Sequence, residues 1–223
     1  MPRTIVFDVN ETLLDLSSLD PLFADELGDA SARREWFAML LRAAFTATIT
    51  DQYRPFGDLG RDVLRGLAAA RGRPLDADGV ERIVAAMATL PAHPDVEPAL
   101  ERLRGDGFRL ATLTNSAPVV AERQLRAAGI REHFDRVLSV DPVRRFKPAR
   151  EVYEHAAREL SSAPAELTMV AAHDWDLRGA GAAGLRVAYI ERPGIGFSPP
   201  DERPELSADH LVDLADRIAA RGG

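Results

Sequence analysis

Five residues near the start, Thr4-Ile5-Val6-Phe7-Asp8, constrain the fold more than any other stretch, because apolar and β-branched side chains run unbroken until a carboxylate ends them. A strand with one wet face alternates polar and apolar residues. A continuous run is buried on both faces, which requires a parallel sheet covered by helices on either side. Open sheets of that kind bind ligands at the C-terminal edge of their strands, so the pattern delivers Asp8 to a functional edge. Further runs read as strands over Arg109 to Thr114, Arg136 to Ser139, Leu167 to Ala172 and Arg186 to Ile190. Between them Val119 to Ala128, closed by Gly129, and Arg150 to Leu160 read as helices. Alternating strands and helices predict an α/β fold with a Rossmann-like, doubly wound parallel sheet.

That alternation is interrupted once. From about Leu16 to Met87 no strand pattern occurs, while Ser31 to Ile49 and Leu59 to Ala70 carry apolar residues at helical spacing, with breaks at Gly57 and Gly72. Pro91, Pro94 and Pro98 punctuate the return. The expected organisation is a core from residues 1–14 and 93–223 with a helical cap, residues 15–92, inserted after the first strand. A chain of 223 residues suits one such catalytic unit. Its apolar runs are strand-sized and its start lacks the charged, apolar and cleavage regions of a secretory leader, so a cytoplasmic protein with no membrane partner is expected. Cysteine is absent, which excludes disulfides, thiolate catalysis and thiolate metal sites. A net charge of −7, with arginines scattered among acids, argues against a nucleic-acid partner. No repeat or low-complexity segment is present, and Pro193 to Pro204 reads as a surface loop.

Four segments fall at or just after strand ends. Asp8-Val9-Asn10-Glu11-Thr12-Leu13 begins with a carboxylate that equally well caps a turn or helix. Thr114-Asn115-Ser116 offers small hydrogen-bonding groups for a bound carboxylate, or caps for the next helix. Phe146-Lys147-Pro148 carries a Lys that in isolation is a solvated charge. Ala172-His173-Asp174-Trp175-Asp176 packs acid, imidazole and indole together more densely than a structural turn needs.

Taken together, the order and placement of these segments resemble the four motifs of the haloacid dehalogenase superfamily over nearly the whole chain. The opening Asp-x-Asn-x-Thr-Leu, the Leu-Thr-Asn-Ser strand end, the stretch from Ser139 to Pro148 with Tyr153 six residues after the Lys, and Trp175-Asp176 look specifically like its 2-haloacid dehalogenase branch. The resemblance implies an active site between core and cap, usually in a homodimer. It implies hydrolysis of short 2-haloalkanoic acids, haloacetate or L-2-halopropionate, to 2-hydroxy acids. Asp8 would be the nucleophile forming an ester, with Lys147 supporting it, and Thr12, Asn115, Ser116 and Tyr153 around the nucleophile and the substrate carboxylate. A small-molecule phosphatase of the same superfamily, or a noncatalytic carboxylate-binding relative, is the alternative.

Two motif positions separate phosphatase from dehalogenase. The phosphatases carry a second Asp two residues after the nucleophile as proton shuttle; here it is Asn10, whose amide cannot exchange a proton. Aligned through Asp176, a metal-binding Asp gives way to Ala172, so neither a metal nor another cofactor is expected.

The chain also departs from the dehalogenase pattern. Trp36 is followed by Phe37 where an Arg ordinarily cradles the departing halide, and Arg42 and Arg54 lie further along. The expectation is instead a halogen pocket of Phe37, Leu41, Phe56 and Trp175. Ala171 and His173 replace a Ser and an Asn of many relatives, and Glu11 replaces a small Gly. With an imidazole pKa ordinarily near 6.5, His173 oriented by Glu11 is expected to activate the hydrolytic water, with Asp176 contributing polarisation.

Overall fold

A computed structural model of the protein describes residues 4–221. The outermost ends of the expected core, residues 1–3 and 222–223, lie outside the described residues. Six strands form one sheet: β1 (Thr4–Phe7), β2 (Arg109–Thr114), β3 (Arg136–Ser139), β4 (Leu167–Ala171), β5 (Arg186–Ile190) and β6 (Ser207–Ala208). They pair in the order β3-β2-β1-β4-β5-β6, every neighbouring pair parallel. β1 is buried along its whole length, as the unbroken apolar run requires. Sheet order reverses between β1 and β4, and sheets of this kind open a ligand crevice at such a point, outside the C-terminal ends of the strands. β6, the two-residue Ser-Ala pair, carries too little pattern to be read from sequence.

Nine α-helices are found among the described residues. α1 (Asp20–Leu27), α2 (Ala32–Ile49), α3 (Phe56–Ala70) and α4 (Ala77–Ala86) follow β1; α5 (Val96–Gly105), α6 (Pro118–Ala127), α7 (Arg150–Glu159), α8 (Asp174–Ala182) and α9 (Leu211–Ala220) alternate with the later strands. In α2 the buried residues Arg33, Phe37, Leu40, Ala44 and Ala47 recur every three or four positions and form one stripe. Trp36, on the adjoining flank, donates from its indole Nε1 to the Gly60 carbonyl of α3 at 3.0 Å. The chain leaves the sheet and returns at one place: Leu14 bridges Ala92, Asp15 N donates to the Pro91 carbonyl, and His93 N to that of Leu13. None of the helices among the described residues is long and apolar enough to cross a membrane.

One close approach positions the site. A Cβ at Gly179 on α8 would lie 2.5 Å from Pro148 Cβ and 2.8 Å from the Tyr153 hydroxyl. Only a glycine lets α8 seat against both the Lys147-Pro148 loop and α7. α8 is not among the helices read from the sequence, because its small residues, with Gly179 and Gly181 among them, give little apolar periodicity.

Candidate active site

Asp8 follows directly on β1, its backbone N–H donating to the Val170 carbonyl of β4 at 3.0 Å, so the sheet itself fixes the carboxylate in the crevice. Each carboxylate oxygen is engaged. Oδ1 accepts from Lys147 Nζ at 2.7 Å, and Oδ2 from Thr12 Oγ1 at 2.6 Å with His173 Nδ1 at 3.2 Å. Thr12 is itself held by the Ala172 N–H at 3.0 Å. Lys147, 1% exposed, uses its three N–H bonds on Asp8, on Asp176 Oδ2 at 2.6 Å and on the Leu113 carbonyl at 3.0 Å. The other oxygen of Asp176 accepts from the Tyr153 hydroxyl at 2.6 Å. Asn115 Oδ1 accepts from Lys147 N at 3.1 Å, which ties the β2 end to the Lys loop.

Two carboxylates sharing one ammonium are driven apart in acidity. Burial alone would raise the Asp8 carboxyl, but Lys147 and His173 overcome it and hold Asp8 well below the usual carboxylate range. For Asp176 burial, reinforced by repulsion from Asp8, outweighs Lys147 and leaves it raised. Burial would lower the Lys147 pKa, yet the two carboxylates raise it, so the amine stays an ammonium. Burial and the adjoining Asp176 charge push the Tyr153 phenol well above its ordinary value, keeping it a donor.

His173 differs from the poised neutral base expected for it. Its Nδ1 faces Asp8 and its Nε2 lies 3.0 Å from Glu11 Oε2. Burial disfavours the charged ring, but the two carboxylates more than compensate and carry its pKa up to about 9. In the free enzyme His173 is therefore an imidazolium donating from both nitrogens. Glu11 has φ +63°, a left-handed conformation that costs a side chain on the order of 1 kcal/mol and that glycine adopts freely.

Around this ionic centre the expected residues divide. Phe37 and Trp175 flank the imidazole, with ring centroids 6.3 and 5.1 Å from it. Phe56 does not join them: it packs at a tilt against Phe146, centroids 5.7 Å apart, and lines a cavity of about 440 Å³ shared with Trp36, Ser116 and Gln124. Leu41 is half-buried against the core. The expected four-residue apolar pocket is thus not one ring cluster, because Phe56 opens α3 while Phe37 and Leu41 share a face of α2. Arg42 and Arg54 are exposed, Arg54 pairing with Asp62 at 2.7 Å. Ser116 N donates to Thr114 Oγ1 at 3.2 Å and its carbonyl accepts from Ser139 Oγ at 2.7 Å. Pro118 at the start of α6 removes one of the amide donors a helix N-terminus would offer.

Three participants escaped sequence reasoning. Arg33, 3% exposed, donates from Nη1 to Glu11 Oε1 at 3.2 Å and from Nε to Asp20 Oδ1 at 2.5 Å. Phe45 meets Trp175 edge-on at 5.3 Å. Gln124 donates to Asn10 Oδ1 at 3.1 Å, while Asn10 Nδ2 reaches Ser116 Oγ at 3.5 Å, so the amide at the phosphatases' acid position is a neutral bridge. A hard-cation site fits poorly here, since the Lys147 ammonium occupies the position between Asp8 and Asp176 and Ala172 supplies no side-chain oxygen.

The family model for haloacid dehalogenase-like hydrolases matches residues 2–184. The chain belongs to that family. It is 32% identical to (S)-2-haloacid dehalogenase 4A of Burkholderia cepacia, covering 89% of this chain and 86% of that protein. It is 30% identical to an (S)-2-haloacid dehalogenase of Pseudomonas sp. (strain YL), covering 99% and 96%. A solved L-2-haloacid dehalogenase superposes with a TM-score of 0.92 at 29% identity over 97% of this chain and 98% of that one. The α/β fold of this chain is the one that solved dehalogenase has.

Proposed function

We propose that this member of the haloacid dehalogenase-like family hydrolyses short 2-haloalkanoic acids to 2-hydroxy acids through an ester on Asp8. The observation that carries the reading is a buried, strongly acidic Asp8 carboxylate fixed by Lys147, Thr12 and His173, next to an Asn10 that cannot serve as a phosphatase acid. The curated relatives named above support the substrate class.

An Asp8 oxygen attacks C2, and the carbon–halogen bond breaks with its electron pair leaving as halide. The ester removes the Asp8 charge, so His173 loses one of the two carboxylates that stabilised its cation and releases the Nδ1 proton to solvent. Neutral Nδ1 then takes a proton from water as that water adds to the Asp8 ester carbonyl. Collapse expels the 2-hydroxy acid, whose oxygen takes the proton from His173; the remaining water proton, left on the new Asp8 carboxyl, passes to Nδ1, which restores both the Asp8 carboxylate, now holding one water oxygen, and the His173 imidazolium. Lys147 balances the carboxylate at the beginning and end of the cycle. Asn115 and Ser116 supply dipoles for the substrate carboxylate, and Phe37 and Trp175 supply the apolar side on which the halide departs. Four helices inserted after β1 serve as a cap, residues 15–92, over a core of residues 1–14 and 93–223. A cytoplasmic homodimer working without a metal completes the reading.

Free halide released from chloroacetate, fluoroacetate and each 2-chloropropionate enantiomer, with a chelator present, tests it. Release that disappears in Asp8→Asn is the expected result; no release from any substrate, or phosphate release that needs Mg²⁺, overturns it.

A further inference from the structure

Glu11 is held from two sides. One oxygen serves His173 at 3.0 Å and the other serves Arg33 at 3.2 Å, and each is the sole side-chain partner of that oxygen among the described residues. Arg33 comes from α2, far from the β1 loop in sequence, and its own Nε is fixed by Asp20 at the first position of α1. A buried guanidinium needs its charge compensated, and these two carboxylates compensate it. Arg33 lies one helical turn before Phe37, so α2 meets His173 twice on a single face: through the Phe37 ring and through the Arg33–Glu11 pair. The positive φ of Glu11 points the same way, since a strained backbone persists only where its surroundings over-determine it.

The groups facing His173 complete the picture. Asp8 and Glu11 touch it, Arg33 and Asp20 stand behind Glu11, Lys147 and Asp176 stand behind Asp8, and the flanking Phe37 and Trp175 rings are uncharged. On the outer side of the Glu11–Arg33 pair lies a cavity of about 120 Å³, room for a few waters, also lined by His93 and Arg192.

We propose that Arg33 is a positioning residue for ester hydrolysis: it fixes Glu11 so that Glu11 holds Nε2–H of His173 and leaves Nδ1 to the water, which makes water activation depend on α2 being seated over the sheet. This rests on the dehalogenase reading but concerns only its second half. Attack of Asp8 on the haloacid needs neither Arg33 nor Glu11. Deprotonation of Nδ1 does, because Arg33 offsets the Glu11 charge that otherwise keeps the imidazolium in place.

The experiment follows single turnovers of Arg33→Gln, Arg33→Lys and wild-type enzyme on L-2-chloropropionate by quenching and intact-protein mass, together with an NMR titration of His173 in the free enzymes. In Arg33→Gln the ester forms at the wild-type rate and then decays about tenfold more slowly at neutral pH, with the pH dependence of decay and the His173 titration both moved upward. Arg33→Lys, which keeps a cation but not the fork, falls between. Ester decay and His173 titration unchanged in a folded Arg33→Gln protein overturn the proposal, as does a defect confined to ester formation. Should wild-type enzyme release no halide, the dehalogenase reading fails, and an unmoved His173 titration would then refute the hold of Arg33 on Glu11 separately.

Discussion

Lys147 and Arg192, two of the buried cations that bind carboxylates among the described residues, do different work. Lys147 sits between Asp8 and Asp176 at the crevice; Arg192 donates to both oxygens of Asp95 at 2.9 and 2.8 Å and to the Thr12 carbonyl at 3.0 Å. Both pairs are almost free of solvent, and both straddle distant parts of the chain. Around Arg192 the remaining Asp95 contact is a backbone amide, Leu211 N at 2.7 Å, so the pair clips the start of α9 to α5 and to the loop after β1. Around Lys147 the carboxylates touch further titratable groups, His173 and Tyr153, and compete for one proton-rich neighbour. Burial and pairing alone therefore do not distinguish a reacting centre from a clip; a second, conflicting demand on the carboxylate does.

Substitutions at the two cations separate these roles. Asp8→Asn removes the nucleophile and lowers kcat by at least about 10⁴-fold, with no ester detectable by mass. Lys147→Met leaves two carboxylates facing each other in the interior; a stability loss of about 3–5 kcal/mol in urea unfolding accompanies a severe loss of turnover in the molecules that remain folded. Asp95→Ala strands Arg192 and costs a similar amount in the same unfolding assay. Its kcat per folded molecule stays near wild type, and a large drop there would erase the distinction between clip and centre.

The pH dependence of stability sharpens the contrast further. His173 has a folded pKa of about 9, above its unfolded value near 6.5, so the folded state binds the extra proton. That contribution is complete below pH 6.5 and is lost as pH rises through 9; it amounts to something on the order of 3 kcal/mol. Urea midpoints should fall across this window in wild type and stay flatter in His173→Gln. The smallest effect belongs to Tyr153→Phe, which deletes one donor to Asp176 and slows turnover about tenfold at most. Effects of a hundredfold would place the phenol in contact with substrate.

Much of the sheet and of the ionic centre was legible because both are written locally. Runs such as Thr4 to Phe7 and Arg109 to Thr114 admit only a buried strand, and residues immediately after such strands share one edge whatever the rest of the chain does. Asp8, Asn115 and His173 were found on that logic, and Lys147 by motif resemblance. Arg33 was not legible, since Arg33-Arg34-Glu35 looks like a solvated helix start and its partner lies 22 residues back. The same holds for Phe45 against Trp175 and for Phe56, whose neighbours are decided by how α2 and α3 cross rather than by any spacing along either helix.

The ion pairs around Asp8 leave no cation unmatched. Asp8, Asp176, Glu11 and, on the outer side of Arg33, Asp20 face Lys147, His173 and Arg33, and Lys147 has no N–H left to offer a newcomer. A carboxylate substrate entering this crevice finds dipoles rather than an unspent cation, and no long-range pull draws it in. KM should accordingly change little between low and high ionic strength, unlike that of an enzyme that gathers its anions by an open electropositive funnel.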